Sequence, residues 1–265
     1  MATTINNTTT GILTTPDATG ALTIQTASTD AIVIDTSQNV GIGVTPTGLD
    51  LLEIGAGTIT KAPLGFTSGS LLTTADAGSV EFDGKVLYMD AEASQRGVVN
   101  AEQFITLTAN YTTAAGTANV LKQLFNTPAG GALTVAGSTT YFFECLFNLT
   151  TMSATSGTFA FGLGGTATYS SVLYIATANK TATTVQAAAN ITVGTVATVL
   201  TLISANTVTT TGYAYIKGKI VIGTGGTIIP SFALSTANAA VVQTGSYFRI
   251  VAVGSNTVNS IGNWA

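Results

Sequence analysis

Histidine is absent from all 265 residues, and with it go Ser-His and Cys-His nucleophiles, histidine general bases and imidazole metal ligands. Cysteine occurs once, as Cys145, so no disulfide can form within the chain. Its neighbours in TYFFECLFNL are apolar, which raises a thiol pKa, so Cys145 is expected to be a buried strand residue and not a nucleophile. Charge is scarce as well: 8% of residues are Asp, Glu, Lys or Arg, against about 25% in an ordinary domain. Dispersed charge is what keeps a monomer soluble, so this neutral surface points to extensive subunit contacts. Long apolar runs are missing too, because Thr, Asn, Gly and Ser interrupt each one well short of ~18 residues, and no membrane insertion is expected. The opening MATTINNTTTGILTTP has neither a basic stretch nor an apolar core, so secretion is not expected and synthesis in a cytoplasm is.

The charge that exists is divided unevenly. Residues 1–104 hold eleven acidic and three basic residues, whereas 105–265 hold five basic and one acidic, Glu144. This break suggests two regions. The basic residues of the second half fall singly in strand-like segments and form no stripe that could neutralise successive phosphates, which argues against nucleic-acid binding.

What the chain has in abundance is strand signal. Residues 1–20 are rich in Thr, Asn and Gly without periodicity and read as an extended arm. Residues 21–103 read as a stalk and attachment region of short strands: ALTIQT, AIVID, VGIGV and LLEIGAGTI recur about every ten residues, too narrow to bury an apolar face without other copies. At 79–89, Asp83 and Gly84 stand between two alternating runs, the signature of a hairpin with a type I′ turn. The stretch 89–103 reads as a solvated connection with room for a short helix, and ANVLKQLF sets a helical turn against strand. From 104 to 265, FITLTANY, ALTVAG, TYFFECLFNL, TFAFGLG, SVLYIATA, ITVGTVATVLTLI, GYAYIKGKIVIG, TIIPSFALS and YFRIVAVG predict an all-β sandwich. In the strand at 213–222, Tyr213, Tyr215, Lys217 and Lys219 share one face, while Ala214, Ile216, Ile220 and Ile222 share the other.

Candidate chemistry is sparse. A glycosidase needs two flanking carboxylates. Asp83 is accounted for by the turn, and Asp90 and Glu92 by the solvated connection, so no catalytic residue is assigned. Asp50 with Glu53 or Asp76 could offer oxygen to calcium, but no twelve-residue loop surrounds them, and no metal or cofactor is expected. GIGV at 41–44 and GLGGTA at 162–167 lack the Gly-Lys-Ser/Thr of a phosphate loop. Tyr213 and Tyr215 are expected to pack against a partner subunit, with stacking on a sugar as the alternative. Trp264, the single tryptophan, is assigned likewise, since an aromatic of that size can bury ~150–250 Å².

NVGIGVTP at 39–46 and SVEFDGKVLYMD at 79–90 resemble stalk and hairpin segments of tailed-phage structural proteins. The stretch 132–171, with KGKIVIGTGGTIIPSFALS and YFRIVAVGSNTVNSIGNWA, resembles a jelly-roll-like domain that ends many of them. The resemblance implies a trimeric β-sandwich head on a virion and transfers no active-site residue. The expectation is a non-enzymatic homotrimer on the virion surface, made in the host bacterial cytoplasm. A capsid decoration (cement or head-fibre) protein on the major capsid protein is preferred to a short tail fibre on a tail or baseplate protein that binds a host-surface glycan. A bacterial surface adhesin is disfavoured by the missing export signal.

Overall fold

The computed structural model describes residues 20–26, 29–127, 129–152, 157–178, 190–194, 200–201 and 211–255. The described residues are all-β, without a helix. They fall into two compact units, Met1–Thr67 and Ser68–Ala265.

In the first unit, β1 (Leu22–Thr26), β2 (Thr29–Ile34), β3 (Val40–Ile42) and β4 (Leu52–Ile54) form one sheet in that order. The first two pairings are antiparallel and β3–β4 is parallel. Asp35 closes the β2–β3 turn: its carboxylate accepts from the Ser37 and Asn39 N–H groups and from the Asn39 amide. This short-side-chain turn chemistry holds the carboxylate below its ordinary pKa, with the Asn39 bonds the largest cause. The expected arm at 1–20 lies outside the described residues apart from Gly20.

The second unit opens with a three-stranded meander, β5 (Val80–Phe82), β6 (Leu87–Glu92) and β7 (Gln95–Val98). Asp83 and Gly84 sit in the β5–β6 connection, which spans 83–86 and is therefore longer than a two-residue type I′ loop. Only Gly84 has positive φ, at 86°, while Asp83 accepts from the Lys85 and Val86 N–H groups. Asp83 acts as a side-chain acceptor, so its backbone has no need of the left-handed region. The stretch expected to be a solvated connection or helix is instead β6, β7 and the start of β8 (Glu102–Thr106).

Then follow β9 (Tyr111–Thr112), β10 (Lys122–Gln123), β11 (Leu133–Val135), β12 (Thr139–Thr150), β13 (Phe159–Gly165) and β14 (Tyr169–Ala178). The chain continues with β15 (Asn190–Gly194), β16 (Leu200–Thr201), β17 (Thr211–Ile222), β18 (Gly226–Leu234), β19 (Val241–Val242) and β20 (Tyr247–Ser255). Strand pairing overrides the local helical spacing of ANVLKQLF, where Lys122 and Gln123 pair with Phe232 and Ser231. One sheet runs β15–β14–β17–β12 and continues through β20 to β8, with β19 and β9 beside the far end of β12. The other runs β16–β13–β18, with β10 and β11 both on the free side of β18. ITVGTVATVLTLI thus contributes to two sheets, β15 in the first and β16 in the second.

The two sheets face each other across an aromatic layer. Phe143 and Phe147 on β12 stack on Phe161 of β13, and Tyr174 of β14 meets Phe161 edge-on at 5.9 Å. Such pairs add ~0.5–1.5 kcal/mol beyond their area. Gly218 makes room for this layer, because a Cβ there would stand 2.5 Å from the Tyr174 Cβ. The meander belongs to the same unit: the buried Tyr88 hydroxyl accepts from the Ser255 N–H and donates to Asp83. The contact boundary at 67/68 thus differs from the 103/104 division expected from the charge break, since a cut at 104 would split β8 and remove Tyr88 from β20.

Candidate functional site

Alternation on the long strands decides what reaches the outer face of the larger sheet. On β12, Tyr141, Phe143, Cys145, Phe147 and Leu149 point into the core and are buried, leaving Phe142, Glu144 and Leu146 on the other side. On β17, Ala214, Ile216, Ile220 and Ile222 are buried while Tyr213, Tyr215, Lys217 and Lys219 face outward. Burial of Cys145 pushes its thiol pKa up strongly.

The pairing register lines these outward residues into rows. One row reads Glu102, Val251, Phe142, Lys219, Leu173 across β8, β20, β12, β17 and β14. The next reads Phe104, Arg249, Glu144, Lys217, Ile175 on the same strands. All of these except Phe104 line a groove of about 730 Å³. Phe142, Leu173 and Ile175 expose 52%, 49% and 41% of their surface on a sheet face that is ordinarily polar when it meets water.

Glu144 occupies the middle. The Tyr247 hydroxyl donates to it at 2.5 Å and Arg249 Nη2 at 3.2 Å, while Arg249 Nη1 reaches Glu102 at 3.7 Å. The Tyr247 bond is the largest cause holding Glu144 below its ordinary pKa, with Tyr215 and Arg249 adding to it. The same bond raises Tyr247 to about 12. Phe104 stacks on the Tyr247 ring at 5.7 Å. Lys217 and Lys219 enter no ion pair with another described residue. A carboxylate so well supplied with donors stays ionised and is poorly suited to give up a proton, so the groove is equipped for binding more than for acid catalysis.

Acid chemistry would fit Asp90 better by pKa, but the structure seals it away. Asp90 was expected in a solvated connection; it is 0% exposed on β6, and neither carboxylate oxygen has a hydrogen-bond partner. Burial first, and then the nearby Glu81 carboxylate, raise its pKa. Burial also works against the ionised Glu81, yet the Arg96 bond at 2.7 Å and the Leu72 N–H hold Glu81 below its ordinary range. Arg96 donates further to the Leu72 carbonyl. Glu92 is exposed on the same strand. Among the described residues no cluster of three or more Asp, Glu or Cys is placed to hold a metal, and Glu53 is occupied by the Thr47 N–H and hydroxyl.

Of the sequence-assigned residues, Tyr213 and Tyr215 lie on the groove face with Leu146 and Asn148 opposite them on β12. Asp83 and Gly84 lie in the separate β5–β6 hairpin, and Trp264 falls outside the described residues. Sequence reading passed over Phe142, Leu173, Ile175 and the Glu144–Arg249 pair. Alternation in TYFFECLFNL and SVLYIATA carried the signal for the first three. Comparison with protein-family models and with curated proteins gives no match.

Proposed function

We propose that the chain is a non-catalytic structural subunit of a tailed-phage virion: a homotrimeric capsid decoration protein, of cement or head-fibre type, anchored on the major capsid protein and facing outward at the virion surface. The observation that carries this reading is the first unit. Val33 is its one buried hydrophobic side chain among the described residues, whereas Ile24, Ile42, Leu49, Leu51, Leu52, Ile59, Leu64 and Phe66 are all exposed. So many exposed large apolar side chains around so small a core support a contact with other chains. The second unit adds support. Strands β8–β20–β12–β17 face β11–β18–β13–β16, an order that fits two interlocked Greek keys, and the β14–β15 hairpin extends one edge. This order supports the jelly-roll reading of the second unit.

A short tail fibre that binds a host-surface glycan is the second reading, favoured by the exposed Tyr213 and Phe142 beside the groove. Reconstruction of the particle separates the two. Density repeated over the capsid lattice is the expected result, and density confined to the tail would assign the protein to the fibre class. Light scattering of the purified chain should give three copies, and a stable monomer would remove the trimer. Incubation with capsular polysaccharide should leave its size distribution unchanged; shortening would overturn the non-enzymatic reading.

A further inference from the structure

We propose that the outer face of the larger sheet is the surface through which copies of this chain meet, in a head-to-tail contact that sets the β17 side of one copy against the β8 edge of the next. The inference rests on the trimeric reading above and names the surface responsible for it.

Three observations point to a second copy as occupant. Exposed apolar side chains flank the β17 lysines on both sides: Phe142 on β12 lies across Lys219 from Leu173, with Ile175 next along β14, and each leaves about half its area to solvent. The charges are segregated by strand. Glu102 on the β8 edge is 43% exposed and only loosely held by Arg249, while Lys217 and Lys219 on β17 have no ion-pair partner among the described residues. Glu144 and Arg249 between them neutralise each other. A face acidic at one side and basic at the other complements a copy of itself shifted sideways, which is the heterologous kind of contact that closes a ring. A sugar would need hydrogen-bonding groups held free for its hydroxyls, whereas Glu144 is taken up by Tyr247 and Arg249. A nucleic acid would meet Glu102 and Glu144 among the three cations.

Charge reversal and its rescue test the contact on the full chain. Sedimentation should show wild type as a trimer. The Lys217→Glu/Lys219→Glu variant should raise its dissociation midpoint concentration at least about tenfold, roughly 2.7 kcal/mol per trimer because the constant scales with the square of the midpoint. Glu102→Lys should weaken it in the same direction, and the three changes combined should recover much of the lost affinity. Leu173→Glu/Ile175→Glu, at half-exposed positions, should dissociate the trimer with unchanged far-ultraviolet circular dichroism. A wild-type monomer would defeat both the trimeric reading and this one. A wild-type trimer whose midpoint is indifferent to all these changes would overturn this surface alone. So would variants that stay trimeric but no longer attach to the particle, since the face would then belong to another virion protein.

Discussion

The two units solve the burial problem differently. In Ser68–Ala265 the sheets close over one core running from Ile105 to Ile250, and Phe125, Phe147, Phe159, Phe161, Phe232 and Phe248 are all buried within it. In the first unit, four short strands surround little more than Val33, and the turns depend on side-chain acceptors such as Asp35. A sheet of this size with one side uncovered is marginal by itself, because stability scales with apolar area removed from water. The second unit carries its own stability; the first is expected to draw on neighbours.

The largest effect that would test this contrast is Phe161→Ala. Its ring contacts Phe143, Phe147 and Tyr174, so truncation should cost ~3–5 kcal/mol in thermal or denaturant unfolding, whereas Val33→Ala in the dissociated chain should cost far less. Equal losses would mean that the first unit has a core of its own. Gly218→Val comes next. The added Cβ would stand 2.3 Å from the Leu173 carbonyl oxygen and 2.5 Å from the Tyr174 Cβ, and a cost of ~1–3 kcal/mol or more from overpacking should appear as a lower unfolding midpoint.

The buried acid in the meander gives a smaller, pH-dependent effect. A raised native pKa means that Asp90 favours the fold fully below its ordinary value of 3.8 and loses that contribution as pH climbs through the native value. Glu81, lowered, has the opposite sign: its contribution is present above 4.5 and disappears as pH falls through the native value. Asp90→Asn abolishes the first titration and leaves Glu81 to titrate without its carboxyl neighbour. Its melting temperature relative to wild type should therefore rise as pH climbs from 3.8 through the native value of Asp90, and a constant difference would show that Asp90 does not titrate in the fold. Least affected should be Ile59→Ser in the dissociated chain, within ~0.5 kcal/mol of wild type, because Ile59 is fully exposed there. In the assembled trimer, the same change should lower the melting temperature if copies cover the first unit.

Strand identity was legible wherever alternation was long. GYAYIKGKIVIG divided its faces as β17 does, and TYFFECLFNL gave β12 with Cys145 inward. Asp83-Gly84 signalled a hairpin but not its four-residue connection, since turn length depends on which residues pair. Asp90 looked solvated because its neighbours are polar; it is buried because it shares the inward face of β6 with the buried Tyr88 while Met89 faces out, a division that the short polar stretch did not announce. The groove was invisible as a unit. It needs Glu102, Phe142, Leu173, Lys219 and Val251 in one row, and their pairing across 149 positions of sequence is set by register between strands far apart in the chain. Charge changes near 104, whereas the Tyr88 hydroxyl ties the meander to β20, a contact between strands far apart in the chain that composition does not carry.

The sealed thiol of Cys145 makes the chain its own stopwatch. A sulfhydryl reagent finds no other sulfhydryl on the molecule and cannot reach this one while β12 stays between its neighbours. Labelling therefore waits for β12 to open, and with reagent in excess its rate becomes the rate at which the sandwich core comes apart.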